Sequence, residues 1–329
     1  MKCTNRTKRT LIALLALLLM ASLTACGGSS TAASEYEKTT YNQSLKTYDF
    51  FAKDLCVTNS NIDLEGYKND ETLHAVGLFD VSQEKVLFAD NLFEQIYPAS
   101  TTKIMTAYVV LKYGNLDDVV TVSENAVTLA ADAQVCCLQA GDKLTLGALL
   151  NGLILYSGND NAIAIAEYMA GGMSEFADMM NQEAVALGAT KSHFLNSHGL
   201  HEAEHYTTAY DLYLIFNACC KDPRFLDIIS QTSYNATITS ASGEMRTQVW
   251  EPTNFYSLGT VDMPDGVRVL GGKTGTTDDA GNCVILYNKD MKDNPYISVV
   301  MGASTKDILY QDTTNLLTAG ISSKTTTNQ

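Results

Sequence analysis

The sequence predicts an α+β domain, and three observations carry that reading. Two short runs of alternating apolar and polar residues, 74–80 and 85–89, flank a Ser-Gln-Glu turn and read as a hairpin. A long middle section carries apolar residues at helical spacing. The pattern then returns to strands at 267–270, 283–287 and 296–301. Strands at both ends with helices between them put the two ends of the chain in one sheet. The 329 residues suffice for one large domain or two small ones, and 46% hydrophobic with 18% charged residues fits a globular protein with a sizeable core.

The N-terminus stands apart. Lys2, Arg6, Lys8 and Arg9 form a basic patch ahead of a short apolar run, 11–20, and small residues then lead to Cys26. This reads as a secretory signal, too short for a membrane span. Leu23-Thr24-Ala25-Cys26 resembles a bacterial lipobox, in which the chain is cut before the cysteine and the cysteine is lipid-modified. The polar run 27–43 reads as a flexible stalk for a membrane-anchored, exported protein. The formal net charge is −15, and loss of the signal would remove four cations and no acid. So acidic a chain argues against nucleic acid as a partner and against a polybasic membrane surface.

Within the domain, Pro98 signals a helix beginning at about Ser100. Residues 144–155 are apolar at helical spacing and longer than a typical strand, so they read as a buried helix that stops at Ser157-Gly158. Helices are expected at 161–169, at 174–187 with Phe176, Met179, Met180 and Ala184 on one face, at 210–220 and at 307–317. Too little chain follows Gly275 for a second domain, and the polar end, 322–329, is expected to fray. The chain has 8 cysteines, of which six, Cys56, Cys136, Cys137, Cys219, Cys220 and Cys283, fall in the domain. No C-x-x-C spacing points to zinc or redox chemistry, and neighbours such as Cys136-Cys137 make poor disulfide partners, so buried thiols are expected, with one disulfide left open.

Three short motifs carry the chemistry. Ser100-x-x-Lys103 puts a hydroxyl and an amine one helical turn apart, on one face. Ser157-Gly158-Asn159 adds a second hydroxyl and an amide on a turn, and Lys273-Thr274-Gly275 reads as an edge strand with a cation beside a glycine that admits a substrate backbone. Each triplet alone is weak, and Ser100 alone reads as well as a helix-start serine. The ordered trio is what defines a site. A serine needs a base, and Lys103 can be one if burial and a nearby cation, Lys273, hold it neutral. Ser157 can relay a proton to a leaving amine, and Asn159 can hold a substrate carbonyl or Lys103. Lys273 and Thr274 would bind a carboxylate, and the backbone N–H groups of Ser100 and Thr276 would form the oxyanion hole.

His201-Glu202-Ala203-Glu204-His205 formally matches the zinc-protease H-E-x-x-H motif. That motif works on a helix with both imidazoles on one face. Here Gly199 lies just upstream, Thr207 or Thr208 reads as the N-cap of the next helix, and apolar flanks are missing, so a loop is expected and no metal.

Around these motifs, Pro98-Ala99-Ser100-Thr101-Thr102-Lys103-Ile104-Met105-Thr106-Ala107 resembles the active-site segment of the D-alanyl-D-alanine carboxypeptidases, the serine peptidase S11 family of low-molecular-weight penicillin-binding proteins. Ser157-Gly158-Asn159-Asp160-Asn161-Ala162 resembles their second motif, with Asn161 where Ala is commoner. Gly271-Gly272-Lys273-Thr274-Gly275-Thr276-Thr277, with Ala280-Gly281-Asn282-Cys283 after it, resembles the third and its following strand. Asn196-Ser197-His198-Gly199-Leu200 and His205-Tyr206-Thr207-Thr208-Ala209 match a further landmark, which makes the zinc-like motif a variable insert between recurring pieces. The similarity covers about 70–321.

The resemblance implies a penicillin-recognising serine transpeptidase/β-lactamase-like fold, an antiparallel sheet flanked by helices plus an all-helical lobe, with the site between them. It implies a serine-type carboxypeptidase that needs no cofactor and removes the terminal D-alanine from peptidoglycan stem peptides through a Ser100 acyl-enzyme, with β-lactams as covalent inhibitors. Many members carry a C-terminal β-rich domain and an anchor helix; neither is expected here, and the lipid at Cys26 would replace the anchor. The expected segments are a signal at 1–25, lipidated cysteine and linker at 26–45, catalytic domain at 46–322 and tail at 323–329. The rival readings are a β-lactamase and a catalytically weak penicillin-binding sensor or scaffold. Ser-Gly-Asn in place of Ser-Asp-Asn, and the lack of an E-x-x-L-N segment, favour the carboxypeptidase over a class A β-lactamase.

Overall fold

The expected hairpin forms as β1 (Ala75–Asp80) and β2 (Lys85–Asp90) in a computed structural model of the chain, which describes residues 51–322. The signal, Cys26, the linker and the tail from 323 lie outside the described residues. Two units are distinguished, Met1–Lys53 and Asp54–Gln329, and the strands and helices described belong to the second. After the hairpin a 3-10 turn, Ala99–Thr102, runs into α1 (Lys103–Tyr113). Next come β3 (Val119–Thr121), α2 (Glu124–Val127), β4 (Lys143–Thr145) and α3 (Leu146–Asn151), which widens into a π-turn at Gly152–Tyr156. Four helices follow: α4 (Asn159–Ala170), α5 (Met173–Ala186), α6 (Ala209–Cys220) and α7 (Pro223–Ile229). The chain ends in β5 (Tyr234–Thr239), β6 (Met245–Trp250), β7 (Val267–Thr277), β8 (Gly281–Asp290), β9 (Pro295–Ala303) and α8 (Lys306–Leu317).

The main sheet is antiparallel, in the order β2-β1-β9-β8-β7. The two ends of the chain therefore meet as expected, with Val76 opposite Val300, and the Lys273 strand lies at the edge. Both faces of this sheet are covered, which is why β8 and β9 read as near-continuous apolar runs. Phe79, Ile285, Ile297 and Val299 pack toward the helices, where the Phe79 and Tyr213 rings stack with centroids 3.9 Å apart. Val76, Leu78, Val284, Leu286 and Val300 pack with Leu309, Leu316 and Leu317 of α8.

Three expectations change. A second sheet, β3-β4-β5-β6, lies beside the helices, its strands stapled by Arg246, whose guanidinium holds both oxygens of buried Asp142. The apolar run 144–155 is not one helix: Thr145 accepts the N–H of Ala148 and caps α3, and the run finishes as the π-turn. The helix expected from residue 161 begins at Asn159, capped by Gly158 with no side-chain bond. The Asp160 carboxylate instead accepts N–H groups of Cys136 at 2.9 Å and Leu138 at 3.0 Å, so it straps the 130s loop to this helix. The six domain cysteines are free thiols, all buried except Cys137.

Candidate active site

Ser100 sits in the 3-10 turn that opens α1, where its neighbour Ala99 takes a left-handed φ of 47°. One turn on, Lys103 is fully buried. Its Nζ lies 3.0 Å from Ser100 Oγ and donates to Asn159 Oδ1 at 2.7 Å and to the His198 carbonyl at 2.7 Å. A neutral amine has two N–H bonds and one lone pair. In that form the two carbonyl acceptors would take its N–H bonds and its lone pair would be left for the serine hydroxyl. Burial lowers the Lys103 pKa well below the usual lysine value, and the charge of Lys273 lowers it further.

Ser157 ends the π-turn with a left-handed φ of 67°, a conformation costly for a residue with a Cβ and frequent at functional sites. That turn puts its Oγ 2.9 Å from Lys273 Nζ, across from β7. Lys273 is 1% exposed and gives a second bond, 2.8 Å, to the Thr274 carbonyl. Burial brings its pKa down to about 7. The lysine thus stands behind the wall of the cleft, and the strand and Ser157 stand between its charge and the cleft.

The cleft, about 270 Å³, is lined by Ser100, Ser157, Asn159, Thr274, Gly275, Thr276 and Thr277, together with Asp132, Ala133 and Gln134, and with Thr253, Phe255, Lys306 and Tyr310. Gly275 lies against the nucleophile turn: a Cβ there would stand 3.0 Å from Ser100 N. The absent side chain keeps that N–H, at the start of a helix, open to the cleft, where a developing oxyanion would be favoured. Thr276, next on the same strand, pairs with Asn282 in the register of β8.

All the predicted domain residues, Ser100, Lys103, Ser157, Asn159, Lys273, Thr274, Gly275 and Thr276, gather at this cleft. Sequence reasoning missed four contributors. The His198 carbonyl is a backbone atom with no residue signature. It is delivered by a loop that presses on the Ser100 turn, since a Cβ on Gly199 (φ 86°) would fall 1.9 Å from the Ala99 carbonyl oxygen. The others are the Asp160 strap, Gln134, whose carbonyl accepts the N–H of Asn159 at 2.8 Å, and Thr253, whose Oγ1 lies 2.6 Å from Thr274 Oγ1.

The zinc-like motif resolves as a loop. His205 is buried, accepts the Leu195 N–H on Nδ1 at 3.0 Å and donates from Nε2 to Thr102 Oγ1 at 2.8 Å. Burial, with His193 and His201 nearby, brings its pKa down to about 4, so it is a neutral structural imidazole. His201 faces Asp279 at 3.3 Å instead.

A serine at a helix start, a buried lysine amine 3.0 Å from it, and an edge strand against it are the parts that a serine–lysine acyl-transfer centre would need. Residues 67–305 match the peptidase S11 family, D-alanyl-D-alanine carboxypeptidase, and the chain belongs to that family. D-alanyl-D-alanine carboxypeptidase DacC of Escherichia coli (strain K12) is 35% identical over 253 residues, 74% of this chain and 60% of that protein. DacF of Bacillus subtilis (strain 168) is 31% identical over 255 residues, 73% of this chain and 61% of that protein. The chain thus spans about 60% of the length of these curated relatives. The crystal structure of the Streptomyces K15 DD-transpeptidase superposes with a TM-score of 0.69 at 28% identity, covering 77% of this chain and 98% of that one. The fold is therefore the antiparallel-sheet and helical-lobe architecture shared with that enzyme.

Proposed function

We propose that this protein is a serine-type D-Ala-D-Ala carboxypeptidase that removes the terminal D-alanine from peptidoglycan stem peptides and is acylated by β-lactams at the same serine. The observation that carries the reading is the placement of the Lys103 amine: fully buried, 3.0 Å from Ser100 Oγ, and held by two carbonyl acceptors at 2.7 Å.

Ser100 Oγ attacks the penultimate D-Ala carbonyl while Lys103 takes its proton. The N–H groups of Ser100 and Thr276 hold the oxyanion. The proton that Lys103 took is relayed through Ser157, which is bonded to the Lys273 amine, to the departing D-alanine nitrogen; the C–N bond breaks and Lys103 is neutral again. Water then attacks the ester while Lys103, neutral again, takes its proton; the ester C–O bond breaks and that proton returns to Ser100 Oγ. Thr274 and the charge of Lys273 hold the terminal carboxylate. No cofactor enters this scheme.

The test is turnover. A synthetic peptide ending in D-Ala-D-Ala releases D-alanine, while a labelled penicillin stays on the protein long after the peptide would have turned over. Rapid release of penicilloate would make the protein a β-lactamase, and a stable penicillin adduct without D-alanine release would make it a sensor or scaffold.

We further propose export and anchoring through lipid at Cys26, with residues 1–25 as the signal, 26–45 as the linker and 323–329 as a tail after the catalytic domain. Palmitate label is expected in the wild type and absent from Cys26→Ala; label retained in that variant would overturn the assignment.

A further inference from the structure

Lys273 has little access to the cleft, so the hydrogen bonds to a substrate carboxylate must come from neutral groups on the wall in front of it. Thr274 and Thr253 both line the cleft, and their hydroxyls lie 2.6 Å apart. Each hydroxyl carries one proton. One proton is spent within the pair, so one is left to point outward, and the direction of the pair decides which residue offers it.

Thr253 is not free to turn away. The segment that carries it joins β6 to β7 and is pinned to α8: the Phe255 N–H donates to Tyr310 Oη at 3.0 Å, the Phe255 and Tyr310 rings stack with centroids 4.5 Å apart, and Tyr256 Oη meets Thr314 Oγ1 at 2.7 Å. Asn254, buried beside it, closes the turn through Ser257.

We propose that Thr253 is a positioning residue for substrate selection: its hydroxyl donates to Thr274 Oγ1 and so aims the Thr274 proton at the substrate's terminal carboxylate. This rests on the carboxypeptidase reading. Thr274 is the member of the pair that stands nearer the positive charge, since its own carbonyl accepts from Lys273 Nζ at 2.8 Å. An anion at Thr274 therefore gains both the aimed hydrogen bond and the cation behind the strand. A hydroxyl that already accepts one bond is also the stronger donor of the next.

The test compares Thr253→Val, which keeps the shape and loses the hydroxyl, with Thr253→Ser, which keeps the hydroxyl. Each is assayed on a D-Ala-D-Ala peptide and on its C-terminal amide. Thr253→Val is expected to lower kcat/KM for the acid about 10-fold, mainly through KM, and to leave the amide unchanged, as loss of a hydrogen bond to a charged group does. Thr253→Ser should restore the preference for the acid. Equal losses on acid and amide, or no loss on the acid, would overturn the proposal. Acylation by benzylpenicillin and by its methyl ester reads the same carboxylate contact without peptide turnover. If the wild type released no D-alanine, the carboxypeptidase reading would fail, and the penicillin pair would still decide the role of Thr253.

Discussion

Replacing Lys103 with Met is expected to lower D-alanine release by at least ~10³-fold, toward the upper range of what one positioned proton acceptor supplies. The apolar stem of Met fills a site that is already fully buried, so the fold should persist and the loss should be chemical. The same variant should acylate with penicillin more slowly by a similar factor, because the same Ser100 proton must leave in both reactions. Among the described residues the Ser100 hydroxyl has Lys103 Nζ at 3.0 Å as its amine partner. A loss below 10-fold in both assays would send the proton elsewhere and dismantle the mechanism.

Lys273→Ala is the second large effect. Its charge pushes the Lys103 pKa down, and in the proposed mechanism it also draws a carboxylate to the strand. Removing a buried charge that acts through both routes is expected to cost about 2 kcal/mol or more, so kcat/KM should fall by at least ~30-fold. The pH dependence has a definite sign. Burial brings the Lys273 pKa down to about 7, so the cation is present below that pH and lost as pH rises through it. Above it the strand loses its charge, and Lys103, freed of the neighbouring cation, becomes easier to protonate. Both changes lower activity, so kcat/KM in the wild type should decline on the alkaline side from about pH 7. Lys273→Arg, whose guanidinium stays charged, should retain more activity than Ala and lose that alkaline decline. A wild-type profile flat from pH 6 to about 9 would contradict both roles, since a surface lysine would be worth well under ~1 kcal/mol and would titrate higher.

The site was legible where chemistry needs a side chain at a fixed spacing. Ser100 and Lys103 declare themselves by one helical turn, and Lys273-Thr274-Gly275 by an edge strand. What escaped has backbone or long-range causes. The His198 carbonyl leaves no residue signature, and its loop is set by the close approach of Gly199 to Ala99. Thr253 reaches the cleft only because Phe255 and Tyr256 dock on Tyr310 and Thr314, contacts between residues more than 50 positions apart. In the fold, the central sheet was readable because β1 and β2 flank a turn signal and β8 and β9 are near-continuous apolar runs. The second sheet was not: β3 and β4 have three residues each, too few for a period of two to show. The π-turn at Gly152–Tyr156 is as apolar as the helix before it, so periodicity could not separate them.

The whole mechanism stands on Ser100 becoming an acyl-ester in the course of D-alanine release. The direct measurement is mass analysis of the protein after labelled penicillin, with the adduct mapped by proteolysis, beside D-alanine release by wild type and Ser100→Ala. One adduct is expected, on Ser100, and Ser100→Ala should lose both the adduct and D-alanine release. An adduct on another residue, or a Ser100→Ala protein that still releases D-alanine at the wild-type rate, would contradict the mechanism.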